Sequence, residues 1–246
     1  MSDAQLDRTD DYSVYQTSTI AALLAGVYDG DVTIAELLSH GDFGLGTFNA
    51  LDGEMVVLDG VCCHLRSDGS VSIAAGTDRT PFAAVTHFRP QQTLPVAEST
   101  SRARLTARVD EALGSPNVAA SVRIRGTFQS VRTRTVGAQK RPYPSLVTAS
   151  ASQAENVLEA VTGTIAGFRT PRFEEEISVA GYHLHFLDDA HSRGGHVLDF
   201  ELTSGTVELA PIQALHLSLP TTSEFLAADM GTDVAAAEQQ AEGGGS

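Results

Sequence analysis

The residues most able to do chemistry lie in one segment, Gly181-Tyr-His183-Leu-His185-Phe-Leu-Asp-Asp-Ala-His191-Ser-Arg-Gly-Gly-His196-Val-Leu-Asp-Phe200. On a β-strand His183 and His185 share a face, roughly 6–7 Å apart along the backbone. A hairpin centred between Ala190 and His191 places His196 opposite His185. Three imidazoles then converge on one sheet face. Catalytic zinc commonly takes three protein ligands and keeps a position open for water or substrate. His191, at the expected tip, faces solvent, and His40, His64, His87 and His216 lack comparable partners.

Charge gives a second signal. The chain carries 31 acidic against 16 basic residues, a net charge of −15, which argues against nucleic acid or an anionic membrane as partner. Yet Arg102, Arg104, Arg108, Arg123, Arg125, Arg132, Arg134, Lys140 and Arg141 fall within one strip. Arg132 and Arg134 share a strand face, and a guanidinium can clamp a carboxylate through two parallel hydrogen bonds. A metal site beside an anion clamp points to chemistry on a small carboxylate.

Other chemistries are excluded. Lys140 is the only lysine, so any Schiff base would have to form there. Gly44-Leu-Gly-Thr-Phe-Asn49 begins like a dinucleotide fingerprint but lacks the third glycine and the following helix. Cys62 and Cys63 are adjacent, which disfavours a mutual disulfide, and on a strand they point to opposite faces as buried thiols. No apolar run approaches the roughly 18 residues of a membrane helix. Met1–Asp11 is polar and acidic without the features of a secretory signal, which makes the cytoplasm the expected compartment.

The elements that must position these residues read as α+β: two closely packed β-rich halves with largely antiparallel or mixed sheets and a few short helices. Residues 1–14 form an acidic leader, expected to be mobile, and residues 15–145 an N-terminal β-rich half holding the arginine strand. Residues 146–220 form a C-terminal half with the histidine hairpin, and 221–246 a tail. Helical spacing appears over 17–26, 33–40 and 100–113, a short helix is expected over 152–160, and a weak one over 224–242. The dipeptides Asp52-Gly53, Asp59-Gly60 and Asp68-Gly69 separate short strands at 44–51, 54–58, 61–65 and 70–75. Further strands are expected over 118–136, 162–168, 177–187, 196–202, 206–209 and 213–219.

The histidine hairpin in its Gly-Tyr-His-Leu-His-Phe and Gly-Gly-His-Val-Leu-Asp setting resembles the α-acetolactate decarboxylase family. Tyr15-Gln-Thr-Ser-Thr, Leu24-Ala-Gly-Val-Tyr-Asp-Gly-Asp, Gly41-Asp-Phe-Gly-Leu-Gly-Thr-Phe-Asn, Leu51-Asp-Gly-Glu-Met and Arg123-Ile-Arg-Gly-Thr-Phe carry the same resemblance, in order, from Tyr15 to Gly244. It implies decarboxylation of 2-acetolactate, a 2-hydroxy-3-keto acid, to acetoin and CO2, with Zn2+ as electron sink for the enediolate and no organic cofactor. Residue by residue it implies His183, His185 and His196 as metal ligands, Glu54 and Glu242 as carboxylates approaching the metal, and Arg134 as the essential arginine. A homodimer is compatible with the sequence. Two other readings compete: a cupin-like metal oxygenase, which also places His-x-His on a strand, and a non-catalytic domain with structural zinc. Oxygen-independent turnover with zinc would exclude the first. The position of both cysteines outside the hairpin weakens the second.

Overall fold

In the computed structural model, described for residues 12–151, 153–231 and 237, fifteen strands alternate with five short α-helices. The first stretch runs β1 (Ser13–Thr17), α1 (Ile20–Leu24), β2 (Val32–Thr33), α2 (Ile34–Leu37), β3 (Phe43–Thr47), β4 (Glu54–Leu58), β5 (Val61–Leu65), β6 (Val71–Ile73), β7 (Arg79–Thr80) and β8 (Ala83–Thr86). Then come β9 (Gln92–Val96), β10 (Thr100–Ser101), α3 (Arg102–Leu113), β11 (Ala119–Thr135), α4 (Leu146–Ser150) and β12 (Ala154–Thr170). The hairpin β13 (Gly181–Asp188) and β14 (Gly194–Ile212) follows, with β15 (Ala214–Ser218) and α5 (Ser223–Ala227) after it.

Two large sheets result, nearly all antiparallel, beside a two-stranded antiparallel ribbon of β2 and β7. The first has the order β15-β1-β8-β3-β4-β5-β6, and only β1 with β15 runs parallel. The second has the order β10-β14-β11-β12-β13, with β9 on β14, and β13 also pairs β14, so this sheet curls back on itself. Its inner face holds Val122, Phe128, Ile165, Phe186 and Phe200, closed over by Leu105 and Val109 of α3. The sheets meet through Phe43, Val56, Cys63 and Leu65 of the first and Ala166, Leu187 and Ala210 of the second. Cys62 faces the opposite layer, and burial pushes its thiol up to about 12. Neither cysteine is a poised nucleophile.

The α+β architecture is the one expected, but single elements depart from it. β8 and β9 were not expected, the strand expected over 44–51 ends at Thr47, and that expected over 177–187 begins at Gly181. Three further departures bear on the site. The segment 152–160 is not a helix: from Ala154 it is strand, paired as Glu155 with Arg134 and Val157 with Arg132. Its Ala, Glu and Leu content favours helix locally, but the seventeen-residue β11 offers an unpaired edge and the ladder wins. The helix that does form lies earlier, at Leu146–Ser150, capped by Ser145. Second, the sheets do not divide the chain at residue 145, because β11 belongs to the second sheet and β15 returns to the first. Third, β1 takes in Ser13 and Val14, which the sequence reading assigned to the leader. Among the described residues no helix is long and apolar enough to cross a membrane.

Candidate metal centre

The hairpin register is the expected one: His185 lies across from His196, with Gly194 and Gly195 opposite Leu187 and Phe186. The tip turns on His191, at φ 51°, while Asp188 accepts hydrogen bonds from the backbone N–H groups of Ser192 and Arg193 and from both their side chains. The glycines are required by close approach. A Cβ on Gly195 would lie 2.8 Å from the Arg134 carbonyl oxygen.

His183, His185 and His196 each present a ring nitrogen, and these atoms lie within 4.8 Å of one another. His185 Nδ1 is 2.8 Å from the Met55 carbonyl oxygen. A carbonyl can only accept, so Nδ1 carries a hydrogen and Nε2 is the nitrogen left to face the cavity. Nε2 lies 3.3 Å from His196 Nδ1. A ligand imidazole is usually fixed by such a backbone acceptor on its far nitrogen. Burial first, then the charge of Arg134, pushes the His183 pKa down to about 3 and holds His196 well below the usual histidine range. Neutral imidazole is the form a metal needs.

Glu54 opens β4 directly after the Asp52-Gly53 turn. Gly53 sits at φ +77°, where a Cβ would meet the Leu65 carbonyl oxygen at 2.1 Å. Thr47 Oγ1 donates to the Gly53 carbonyl at 2.7 Å and locks the turn. Strand alternation then sends Met55 to the far layer and leaves Glu54, 8% exposed, facing the hairpin. Its Oε2 is 3.6 Å from His185 Nε2.

Arg134, 4% exposed, lies across from His196 on one side and Glu155 on the other. Its Nη1 donates to Gln153 Oε1 at 2.9 Å. Arg132, two residues earlier, is at the exposed rim and pairs with Glu155 at 3.7 Å. The remaining strip is largely structural: Arg123 donates to Glu208 at 2.7 Å, and Arg125 pairs with Asp59. Glu54, Arg134 and the three histidines line one cavity whose apolar wall comes from Ile20, Leu23, Phe82 and Leu146. Glu242 lies outside the described residues.

The sequence reading missed the Met55 carbonyl, Gln153 and the walls supplied by α1 and α4. Backbone acceptors leave no side-chain signature. Gln153 was hidden inside the segment read as helix.

The donor set fits a borderline-soft divalent ion: three imidazole nitrogens, one oriented from behind, and a carboxylate alongside. Residues 14–232 match a family model described as alpha-acetolactate decarboxylase. The alpha-acetolactate decarboxylase of Methylococcus capsulatus is 43% identical over 233 residues, covering 95% of this chain and 90% of the relative. That of Bacillus subtilis is 42% identical over 217 residues, with 88% and 85% covered. The crystal structure of the B. subtilis strain 168 protein superposes with a TM-score of 0.92 at 40% identity, covering 94% of this chain and 99% of that one.

Proposed function

The chain belongs to the alpha-acetolactate decarboxylase family and is a carboxy-lyase, and from that premise we propose that it converts 2-acetolactate to acetoin and CO2 at a zinc ion held by His183, His185 and His196. The observation that carries this reading is the convergence of three imidazoles with Glu54 and Arg134 on one cavity. When bound, Zn2+ supplies a Lewis acid that drains charge from the ketone and hydroxyl oxygens of a 2-hydroxy-3-keto acid.

The chain's own residues do the rest. Arg134 offers a planar fork to the substrate carboxylate, and Gln153 holds that guanidinium from the side. Loss of CO2 leaves an electron pair that passes into the neighbouring carbonyl of the substrate. In this reading Glu54, whose carboxylate lies beside His185, delivers the proton that completes acetoin. The apolar wall of Ile20, Leu23, Phe82 and Leu146 keeps bulk water from competing for that proton.

Glu242 is proposed as a second carboxylate. Ala237 packs against the apolar cluster that includes Ile20, Leu23, Leu51 and Val136, and these four also line the cavity. Five further residues span up to about 17 Å when extended. We assign the reaction to the cytoplasm, and no observation favours the oxygenase or structural-zinc readings over it.

The test is metal analysis with an acetoin assay. The parent protein should carry one zinc per chain and release acetoin from 2-acetolactate without oxygen. His185→Ala should lose stoichiometric zinc after dialysis against a chelator. Full zinc retention in that variant overturns the ligand assignment.

A further inference from the structure

Strand β14 has a phase problem that the hairpin alone does not solve. Phe200 and Leu202 point into the apolar interior of the second sheet. Strict alternation would carry every even position inward and so bury His196 in that interior, away from His183 and His185. The strand avoids this with a bulge. Arg132 lies across from Asp199 but Thr133 from Val197, so Leu198 is an extra residue in the ladder. Below the bulge it is Val197 that enters the apolar interior, and His196 turns to the cavity. The Leu198 bulge therefore decides which face His196 occupies.

A bulge frees a backbone carbonyl, and here one side chain takes it. Arg102, the first residue of α3, donates from Nη1 to the Leu198 carbonyl oxygen at 3.0 Å. It is delivered there because Thr100 and Ser101 pair with Leu202 and Glu201 immediately before α3 begins. The Ser101 hydroxyl caps the helix by accepting from the Arg104 N–H. The Arg102 Nε is buried without a hydrogen-bond partner among the described residues, so the guanidinium is not held there by a saturated ion pair.

We propose that Arg102 is a positioning residue for the metal centre: by holding the Leu198 carbonyl it fixes the bulge that presents His196 to the ion. The inference rests on reading the three histidines as a metal site. Arg102 does not line the cavity and touches no reacting atom. Its effect passes through the backbone of β14, as outer-shell partners of metal ligands commonly act, with losses of about 10–100-fold in metal affinity when removed.

Zinc affinity, measured by competition with a chelator on the full-length chain, tests this. Arg102→Met keeps the stem and removes the donors, and should weaken zinc binding at least tenfold. Arg102→Lys, which retains a donor within reach, should stay within about threefold of the parent. Val109→Ala loosens α3 elsewhere, and should leave zinc affinity unchanged. If Arg102→Met does not yield folded protein, Arg102→Gln, too short to reach the carbonyl, carries the same comparison. Unchanged affinity in the Met or Gln variant overturns the proposal alone, as does an equal loss in Val109→Ala. A parent chain that binds no zinc overturns this and the metal reading together.

Discussion

Acidification of the metal-free protein should cost stability through His183. Burial, reinforced by the Arg134 charge, pushes its pKa down to about 3, against about 6.5 in an unfolded chain. The unfolded chain therefore takes up a proton near pH 6.5 that the folded chain refuses until near pH 3. Stability from this group is complete above pH 6.5 and drains away as pH falls between those values. At 1.36 kcal/mol per unit, the step from pH 6.5 to pH 5 costs about 2 kcal/mol, a factor of roughly 30 in the folding equilibrium. His196 is depressed for the same reasons and adds in the same direction. Asp188 also has a lowered pKa, but its contribution is lost only at more acid pH, below the ordinary carboxylate range. Glu174, raised by burial, acts in the opposite direction as pH falls, so the parent is read against a variant that shares it. Urea unfolding of chelator-treated parent and His183→Gln proteins at pH 7.5, 6.5 and 5.0 measures the effect. The stability difference between parent and variant should move by about 2 kcal/mol against the parent on acidification. A difference that stays constant across the window refutes the claim that the fold holds His183 neutral.

Three further outcomes follow from the site. Arg134→Lys keeps the charge but loses the planar fork, so kcat/KM should fall about 10²–10³-fold with zinc content intact, read by steady-state kinetics and metal analysis. Gly195→Ala pushes a methyl group into the Arg134 carbonyl, and should lower unfolding free energy by about 1–3 kcal/mol and weaken zinc binding, measured by denaturant titration and chelator competition. Glu242→Gln should be strongly impaired in acetoin formation while Glu238→Gln is nearly silent, and truncation after Gln239 should leave a folded, zinc-bound protein with little activity.

What the sequence made legible was local in origin. His183 and His185 share a face through strand alternation, and His196 joins them through hairpin symmetry, so spacing alone predicts their meeting. Glu54 was marked by the resemblance, and its Asp-Gly turn by hairpin chemistry; the structure brings both to one place. The rest depends on partners distant in the chain. Segment 152–160 reads as helix until β11 is available to pair with it. The return of β15 to β1 is a parallel pairing between Ser13 and Ala214, and no local pattern encodes it. The Leu198 bulge is invisible in composition, because Val197 and Phe200 each suit an apolar face and only their odd separation betrays the break.

The candidate metal centre is a product of the contact between the two sheets, not of the hairpin by itself. The second sheet supplies all three histidines and Arg134, while the first supplies the Met55 carbonyl behind His185 and the Glu54 carboxylate beside it. The sheets are held in that relation by apolar packing in which Leu65 meets Leu187, and Gly194 lies so close to Leu65 that a Cβ would be 2.2 Å from its side chain. Because a buried interface of this density does not slide continuously, the spacing between Met55 and His185 is set by apolar residues outside the histidine group. Orientation of the ligand that faces both His196 and Glu54 is therefore inherited from the hydrophobic core. That explains why β13 and β14, whose own carboxylates Asp188, Asp199, Glu201 and Glu208 do not line the cavity, build a site whose carboxylate comes from the neighbouring sheet.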